Sequence, residues 1–256
     1  IHQIWIGNKE PPYIYINSWK DDYISKNKNW QYTLWNEEKI ETIFQNNIRE
    51  LFINVLYKLY KQELTMMGKA DIARIVILYY NGGVYIDADC VWINNKSLDS
   101  LIDKSFEKGF FCALEQEGCP YLVNSVIGSL SKHKNLLKLM NILANYEDIY
   151  LQLRENYQPW EITGPLLINQ LDRSTITLFP SIYFYPISWH GIKDCHLHKK
   201  IKLPEESYMF QYGISTNDLD YSQEYESEFK IPKIIIQTWK TNKISGILRR
   251  SWSEMA

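Results

Sequence analysis

The 256-residue chain has no apolar run approaching the twenty or so residues a membrane-spanning helix needs, because Lys, Asp, Arg or Asn interrupts every hydrophobic stretch. No transmembrane segment is expected. Basic excess is lacking too: the formal charge is -2 and the pI about 6.3, which argues against a nucleic-acid partner held through its phosphates. An anionic small ligand would need a metal ion or a local cluster of charge. Four cysteines, Cys90, Cys112, Cys119 and Cys195, show no short paired spacing, and a chain with 45% hydrophobic and 14% aromatic residues can bury a core without disulfides. Free thiols are expected and, with no signal segment in view, a cytoplasmic location. Gly-rich phosphate loops and nucleophile elbows are absent. His190, Cys195, His196 and His198 crowd together, but their spacing matches no zinc module and a solvated loop is the expected use.

The chain opens at Ile1 on an apolar strand with no initiator Met, and so reads as a segment of a longer protein. Its two ends are self-similar. Ile1-His2-Gln3-Ile4-Trp5 aligns with Ile235-Ile236-Gln237-Thr238-Trp239, and Ser18-Trp19 aligns with Ser251-Trp252. Residues 1–225 are therefore read as one domain, and 226–256 as a linker and the truncated start of a second copy.

Between the ends, apolar periodicity alternates between strand and helix. Strands are expected at 1–6, 30–35, 84–86, 110–114 and 121–127, with one or two more within 176–185. Helices are expected from Pro11-Pro12 toward Lys26, then over 37–44, 48–64, 69–80, 133–146 and from Thr163-Gly164-Pro165 to Leu171. Asn81-Gly82-Gly83 supplies a left-handed stop. This order predicts an α/β fold, a mostly parallel sheet flanked by helices, in which ligands bind at the carboxyl ends of strands. Asp87 falls at such an end.

The chemistry concentrates in Lys69-Ala70-Asp71-Ile72-Ala73-Arg74 and, one helix length later, Gly82-Gly83-Val84-Tyr85-Ile86-Asp87-Ala88-Asp89. Asp71 and Arg74 are three apart and share a helix face. Asp87 and Asp89, separated by one small residue, offer oxygen ligands to a hard divalent cation such as Mg²⁺ or Mn²⁺. Neither is easily buried without a metal or a partner such as Arg74. A metal that also touched a diphosphate would stabilise the charge released when a sugar leaves it.

This ordered set, together with Ile-His-Gln-Ile-Trp-Ile-Gly at the start and Thr163-Gly164-Pro165, resembles the DXD glycosyltransferases of the sugar-binding-region family. That family groups initiating α-1,6-mannosyltransferases and capsular polysaccharide transferases, with the glucosylating clostridial toxins as distant relatives. The resemblance implies a GT-A-like, Rossmann-like fold, a nucleoside-diphosphate sugar donor with UDP favoured over GDP, Mn²⁺ or Mg²⁺, a glycan or protein acceptor, and retention of configuration. It makes Asp89 a direct metal ligand and Asp87 a ligand that also faces the ribose and sugar. Asp71 and Arg74 would hold sugar hydroxyls and phosphate oxygen, Tyr85 would line the sugar pocket, and Trp5 would be the platform for the base. The second copy would then be a second glycosyltransferase domain. One departure stands out. Where relatives supply a late His or Asn/Ser metal ligand, this chain has Ser207-Tyr208-Met209-Phe210-Gln211-Tyr212-Gly213, leaving Gln211, Ser215 or Asn217 as substitutes.

Two rival readings accompany it. Asp87-Ala88-Asp89-Cys90-Val91 also satisfies the pattern of haloacid-dehalogenase-type phosphatases, with Asp87 as nucleophile and Asp89 as acid/base. That strand, however, should open the domain, and here more than eighty residues precede it. The other reading is a non-catalytic carbohydrate-binding module on a transferase fold. For single residues there are structural alternatives: Asp87/Asp89 as turn caps, Asp71/Arg74 as a surface ion pair, Trp5 and Tyr85 as core aromatics, and His2 as a satisfied core histidine.

Overall fold

A computed structural model describes residues 1–188 and 190–221. The expected start of a second copy, including Ile235–Trp239, lies outside the described residues. The first strand, β1 (His2–Ile4), pairs in parallel with β2 (Thr33–Trp35), His2 opposite Thr33 and Ile4 opposite Trp35. Parallel neighbours need a crossover between them. It is supplied by α1 (Tyr13–Asn17), a π-helical stretch (Ser18–Tyr23) and α2 (Ile24–Lys26), which bury Tyr15, Ile16, Trp19 and Tyr23.

Next come α3 (Glu37–Asn46), started by the Asn36 side chain accepting from the Lys39 amide, and α4 (Leu51–Gln62). The long helix α5 (Met66–Asn81) starts where the Thr65 hydroxyl accepts from the Gly68 amide at 3.1 Å. It stops at Gly82, whose φ of 66° suits a residue without a side chain; a Cβ there would also lie 2.8 Å from the Ser131 amide nitrogen. The chain then enters β3 (Gly83–Ile86), in which Val84, Tyr85 and Ile86 are all buried.

The remaining elements are β4 (Cys90–Trp92), α6 (Asp99–Ser105), β5 (Phe110–Leu114), β6 (Leu122–Ser129), α7 (Lys134–Ala144), α8 (Tyr150–Asn156), α9 (Pro159–Ile162), α10 (Pro165–Ile168), β7 (Thr177–Phe179), α11 (Leu197–Lys200), β8 (Met209–Gln211) and α12 (Ile214–Asn217). The main sheet has the order β2-β1-β3-β6-β5-β7. β6 is antiparallel to both its neighbours and the other pairs are parallel, so β6 alone runs against the rest. This is the mostly parallel, helix-flanked α/β architecture the sequence predicts.

Both sheet faces are covered. Phe44, Leu56, Ile72, Val76, Phe110 and Leu139 fill one side with the long helices; Trp19, Tyr23, Val84, Ile86, Phe111 and Phe184 fill the other. Of the one or two strands expected within 176–185 the structure holds one, because Pro180 has no amide to extend the ladder and a 3-10 turn, Ser181–Tyr183, follows. Two features depart from expectation. The helix expected to reach Leu171 ends at Ile168, and the antiparallel β4–β8 pair is an element the periodicity did not show. No helix among the described residues is long and apolar enough to cross a membrane.

Candidate active site

Helix α5 is buried from Asp71 to Leu78, so the two charged residues of that stretch lie inside the protein. Asp71 and Arg74 are 6% and 5% exposed. An isolated charge in such a place is strongly disfavoured, and both groups are paired. Arg74 Nη2 lies 3.0 Å from Asp71 Oδ1, and Nη1 lies 3.2 Å from Asp87 Oδ1. Nη1 also donates to the Asn124 carbonyl at 2.6 Å. The guanidinium lies over the Tyr85 ring, 4.4 Å from its centroid, and the Tyr85 hydroxyl donates to Asp87 Oδ1 at 2.7 Å. Burial works against the Arg74 charge, but Tyr85, Asp87 and Asp71 outweigh it and hold its pKa above the ordinary value. Arg74 therefore joins the helix carboxylate to the strand-end carboxylate, which a surface ion pair would not do.

Two residues that sequence reasoning did not single out as site residues or assigned only to a motif complete the surroundings of Asp71. Asn124 Nδ2, from β6, donates to Asp71 Oδ1 at 2.8 Å, and the Thr163 hydroxyl donates to Oδ2 at 3.2 Å. Burial nonetheless pushes the Asp71 carboxyl up to about 6, with Asp87 adding to the shift and Arg74 opposing it. Gly164 comes so close that a Cβ would sit 3.0 Å from Asp71 Oδ2 and 2.8 Å from the Trp160 Cα. Thr163-Gly164 thus contributes a hydrogen bond and a close approach as well as opening α10.

At the end of β3 the chain makes a β-turn from Asp87 to Cys90, closed by the Cys90 amide donating to the Asp87 carbonyl at 3.1 Å. The two carboxylates occupy its first and third positions and are half-buried; the Asp87 side chain is 26% exposed. The turn does act as a cap in part: Asp89 Oδ2 accepts from the Ile214 amide at 2.9 Å. Burial first, and then the negative charge of Asp87, push the Asp89 carboxyl up to about 7. The Asp87 carboxyl is also raised by burial, against the pull of Arg74. A divalent cation would relieve both shifts, and two carboxylates reached from the half-open side are a donor set that fits Mn²⁺ or Mg²⁺.

The late segment is brought to this turn by the β4–β8 pair, in which Gln211 stands opposite Cys90. Gln211 Nε2 donates to Asp87 Oδ2 at 3.4 Å, so this residue reaches the carboxylates. Asn217 is engaged elsewhere, accepting from the Gly191 amide and donating to the Tyr212 carbonyl. No third His, Cys, Asp or Glu joins the pair among the described residues.

Trp5 follows directly on β1, at the same edge of the sheet as Asp87. It is half-buried; its indole donates to the Lys9 carbonyl at 2.7 Å and meets Tyr221 edge-on at 6.2 Å. Tyr85 is fully covered and belongs to the main core as well as to the Arg74 cluster. His2 is satisfied on both sides, accepting from the Trp35 indole at Nδ1 and bonding the Gly82 carbonyl through Nε2.

A buried acid–base cluster behind a strand-end carboxylate pair coincides with a known family pattern. The profile described as glycosyltransferase sugar-binding region containing DXD motif matches residues 15–107, which include Asp71, Arg74, Asp87 and Asp89. An uncharacterized glycosyltransferase of Acanthamoeba polyphaga mimivirus is 27% identical over 208 residues, covering 76% of this chain and 75% of that protein. Inositol phosphoceramide mannosyltransferase 1 of Schizosaccharomyces pombe is 27% identical over 215 residues, covering 75% of this chain and 61% of its own length. Among solved structures, the PaToxG glycosyltransferase aligns over 66% of each chain at 19% identity with a TM-score of 0.47. The profile and the relatives all indicate a glycosyltransferase, and the chain is similar to those of the DXD-containing class.

Proposed function

We propose that this glycosyltransferase moves a hexose or N-acetylhexosamine from a nucleoside-diphosphate sugar to a hydroxyl of a glycan or protein, with retention at the anomeric carbon and in dependence on Mn²⁺ or Mg²⁺. The family resemblance supports UDP ahead of GDP as the leaving nucleotide. The observation that carries the reading is the half-buried Asp87/Asp89 pair on one turn at the carboxyl end of a central strand, with the Asp89 carboxyl raised to about 7, a site that favours a positively charged ligand. Asp89 and Asp87 would hold the ion, with the Gln211 side chain as a neutral third donor in place of Ser215 or Asn217. When bound, the ion would neutralise charge developing on the leaving diphosphate.

The protein groups do the rest. Arg74, with its charge secured by Asp71 and Asp87, offers a fixed cation toward a phosphate oxygen, and Asp71 a carboxylate toward sugar hydroxyls. Tyr85 and Trp5 would line the sugar and the base. Breaking the anomeric C–O bond leaves its electron pair on the diphosphate. The acceptor oxygen bonds the same face of the sugar, and its proton passes to a phosphoryl oxygen, since no side chain is assigned as the base. Buried thiols at Cys90 and Cys112 accord with a reducing compartment, and the cytoplasm is the proposed location. The Schizosaccharomyces pombe relative is named for mannosyl transfer to inositol phosphoceramide, which puts mannose among the sugars to test.

Calorimetric titration of UDP and of GDP, each with and without Mn²⁺, on the chain and on Asp89→Ala tests this directly. Mn²⁺-dependent binding of one nucleotide, lost in the variant, is expected. Release of sugar from the donor without acceptor separates an enzyme from a binding module without turnover. Failure of both nucleotides to bind a folded chain would overturn the donor-site assignment, and phosphate-monoester hydrolysis in that case would put the phosphatase chemistry ahead.

A further inference from the structure

We infer that Gln3 is a positioning residue that holds the carboxylate turn at its metal-binding conformation. The inference rests on the proposed role of Asp87 and Asp89. Gln3 is fully buried, with 0% exposure, on β1, and its hydrogen bonds go to a main-chain carbonyl and a hydroxyl rather than to a carboxylate. Its amide Nε2 donates at 3.0 Å to the main-chain carbonyl of Asp87. That carbonyl also accepts the turn-closing Cys90 amide at 3.1 Å, so both of its lone pairs are used. The other end of the Gln3 amide accepts from the Tyr32 hydroxyl at 2.8 Å, and this fixes which end faces Asp87, since the reverse would set oxygen against oxygen.

Pairing between β1 and β3 is short, with His2 opposite Tyr85. Adjacent side chains of β1 extend it in opposite directions. His2 reaches the Gly82 carbonyl where β3 begins, and Gln3 reaches the Asp87 carbonyl where it ends. Because the peptide of Asp87 carries the orientation of both carboxylates, a rotation of that peptide would turn them apart. The Gln3 amide opposes that rotation from inside the core, where no water can replace it.

The test uses Gln3→Met, which keeps the length and removes the amide, and Tyr32→Phe, which keeps the direct bond and removes its orienter. His2→Phe cuts the clamp at the opposite end of β3 and serves as the control. Two readouts are taken: amide hydrogen exchange at Cys90 in metal-free protein, and affinity for Mn²⁺ alone. Gln3→Met is expected to speed Cys90 exchange and weaken Mn²⁺ binding, each by about tenfold or more, Tyr32→Phe to shift both several-fold the same way, and His2→Phe to leave both near wild type. Wild-type values in Gln3→Met and Tyr32→Phe, or an equal loosening in His2→Phe, would overturn the assignment. If Gln3→Met does not fold, Tyr32→Phe decides. A wild-type chain that binds no Mn²⁺ defeats the metal-site reading, while exchange at Cys90 still judges the clamp.

Discussion

Replacing Arg74 by Met removes the cation shared by two carboxylates while keeping most of the side-chain volume. Asp71 is the group left exposed to the consequence, since it is almost fully buried and would retain only the Asn124 and Thr163 hydrogen bonds. Breaking a buried ion pair by removing one partner costs about 3–5 kcal/mol. Part of that cost is pH-dependent, and its sign follows from the direction of the shift. The Asp71 carboxyl is already raised to about 6 with Arg74 present, and it rises further without it. A carboxyl raised in the folded state contributes least stability when ionised, and folding gains as pH falls through its folded pKa. At about pH 8 the wild type holds Asp71 charged against Arg74, whereas the variant must bury it unpaired or bind a proton. Below about pH 6 both proteins carry the protonated group and that part of the difference vanishes. Urea unfolding followed by Trp fluorescence at a series of pH values measures this. The expected loss is about 3–5 kcal/mol near pH 8, shrinking to about 1–2 kcal/mol near pH 5.5. A loss under about 1 kcal/mol that does not change with pH would refute the claim that Arg74 secures a buried charge.

Other perturbations read neighbouring parts of the same wall. Thr163→Val deletes the hydroxyl that donates to Asp71 and should cost about 1 kcal/mol in urea unfolding, with a further rise in the Asp71 carboxyl that a pH series would show. Gly164→Ala places a methyl group 2.8 Å from the Trp160 Cα and 3.0 Å from Asp71 Oδ2; a destabilisation of about 1–3 kcal/mol is expected, and an unchanged denaturation midpoint would contradict the close approach. Asp89→Asn should stabilise the metal-free protein near pH 8 by about 1–2 kcal/mol, because the wild-type carboxyl is raised to about 7, and the gain should vanish as acid protonates it; added Mn²⁺ should reverse the order of the two melting temperatures. His2 has its pKa lowered to about 4 by burial, so its neutral form contributes stability present above about pH 6.5 and lost as pH falls toward 4; comparison with His2→Phe across that window isolates up to about 3 kcal/mol.

The stretch from Met66 to Asp89 was legible because local rules agree there. An apolar helix ends at two glycines with positive φ, a buried strand follows, and the carboxylates come at its end. Asp71 and Arg74 three apart predicted a shared face, and the pair is indeed 3.0 Å apart. What the spacing could not reveal was Asn124 beside them, since the approach of β6 to α5 is a matter of sheet order rather than of local pattern. Gln211 was one of three late substitutes that the sequence left open. Only the pairing of β8 with β4, two strands of three residues with no alternation to mark them, brings it to Asp87 while engaging Asn217 elsewhere. Gln3 passed as part of an apolar strand, because nothing in a short strand shows that one buried amide faces a carbonyl at the far end of its neighbour.

The cluster also explains why a stable fold would keep such an arrangement. Asp71, Asp87 and Asp89 are three acidic groups along one wall, each raised by burial, and Arg74 is the cation that contacts the first two. Asp89 is held by the Ile214 and Gly213 amides and, among the described residues, by no cationic side chain, so no positive charge offsets its own. A core selected for stability alone would replace it with a neutral residue. Its charge sits on the half-buried turn, where the proposed cation would bind, while the paired charges of Asp71 and Arg74 lie in the core where they keep their geometry. The gradient from paired to unpaired charge, running outward from α5 to the turn, is what would allow one rigid wall to hold a donor and exchange an ion.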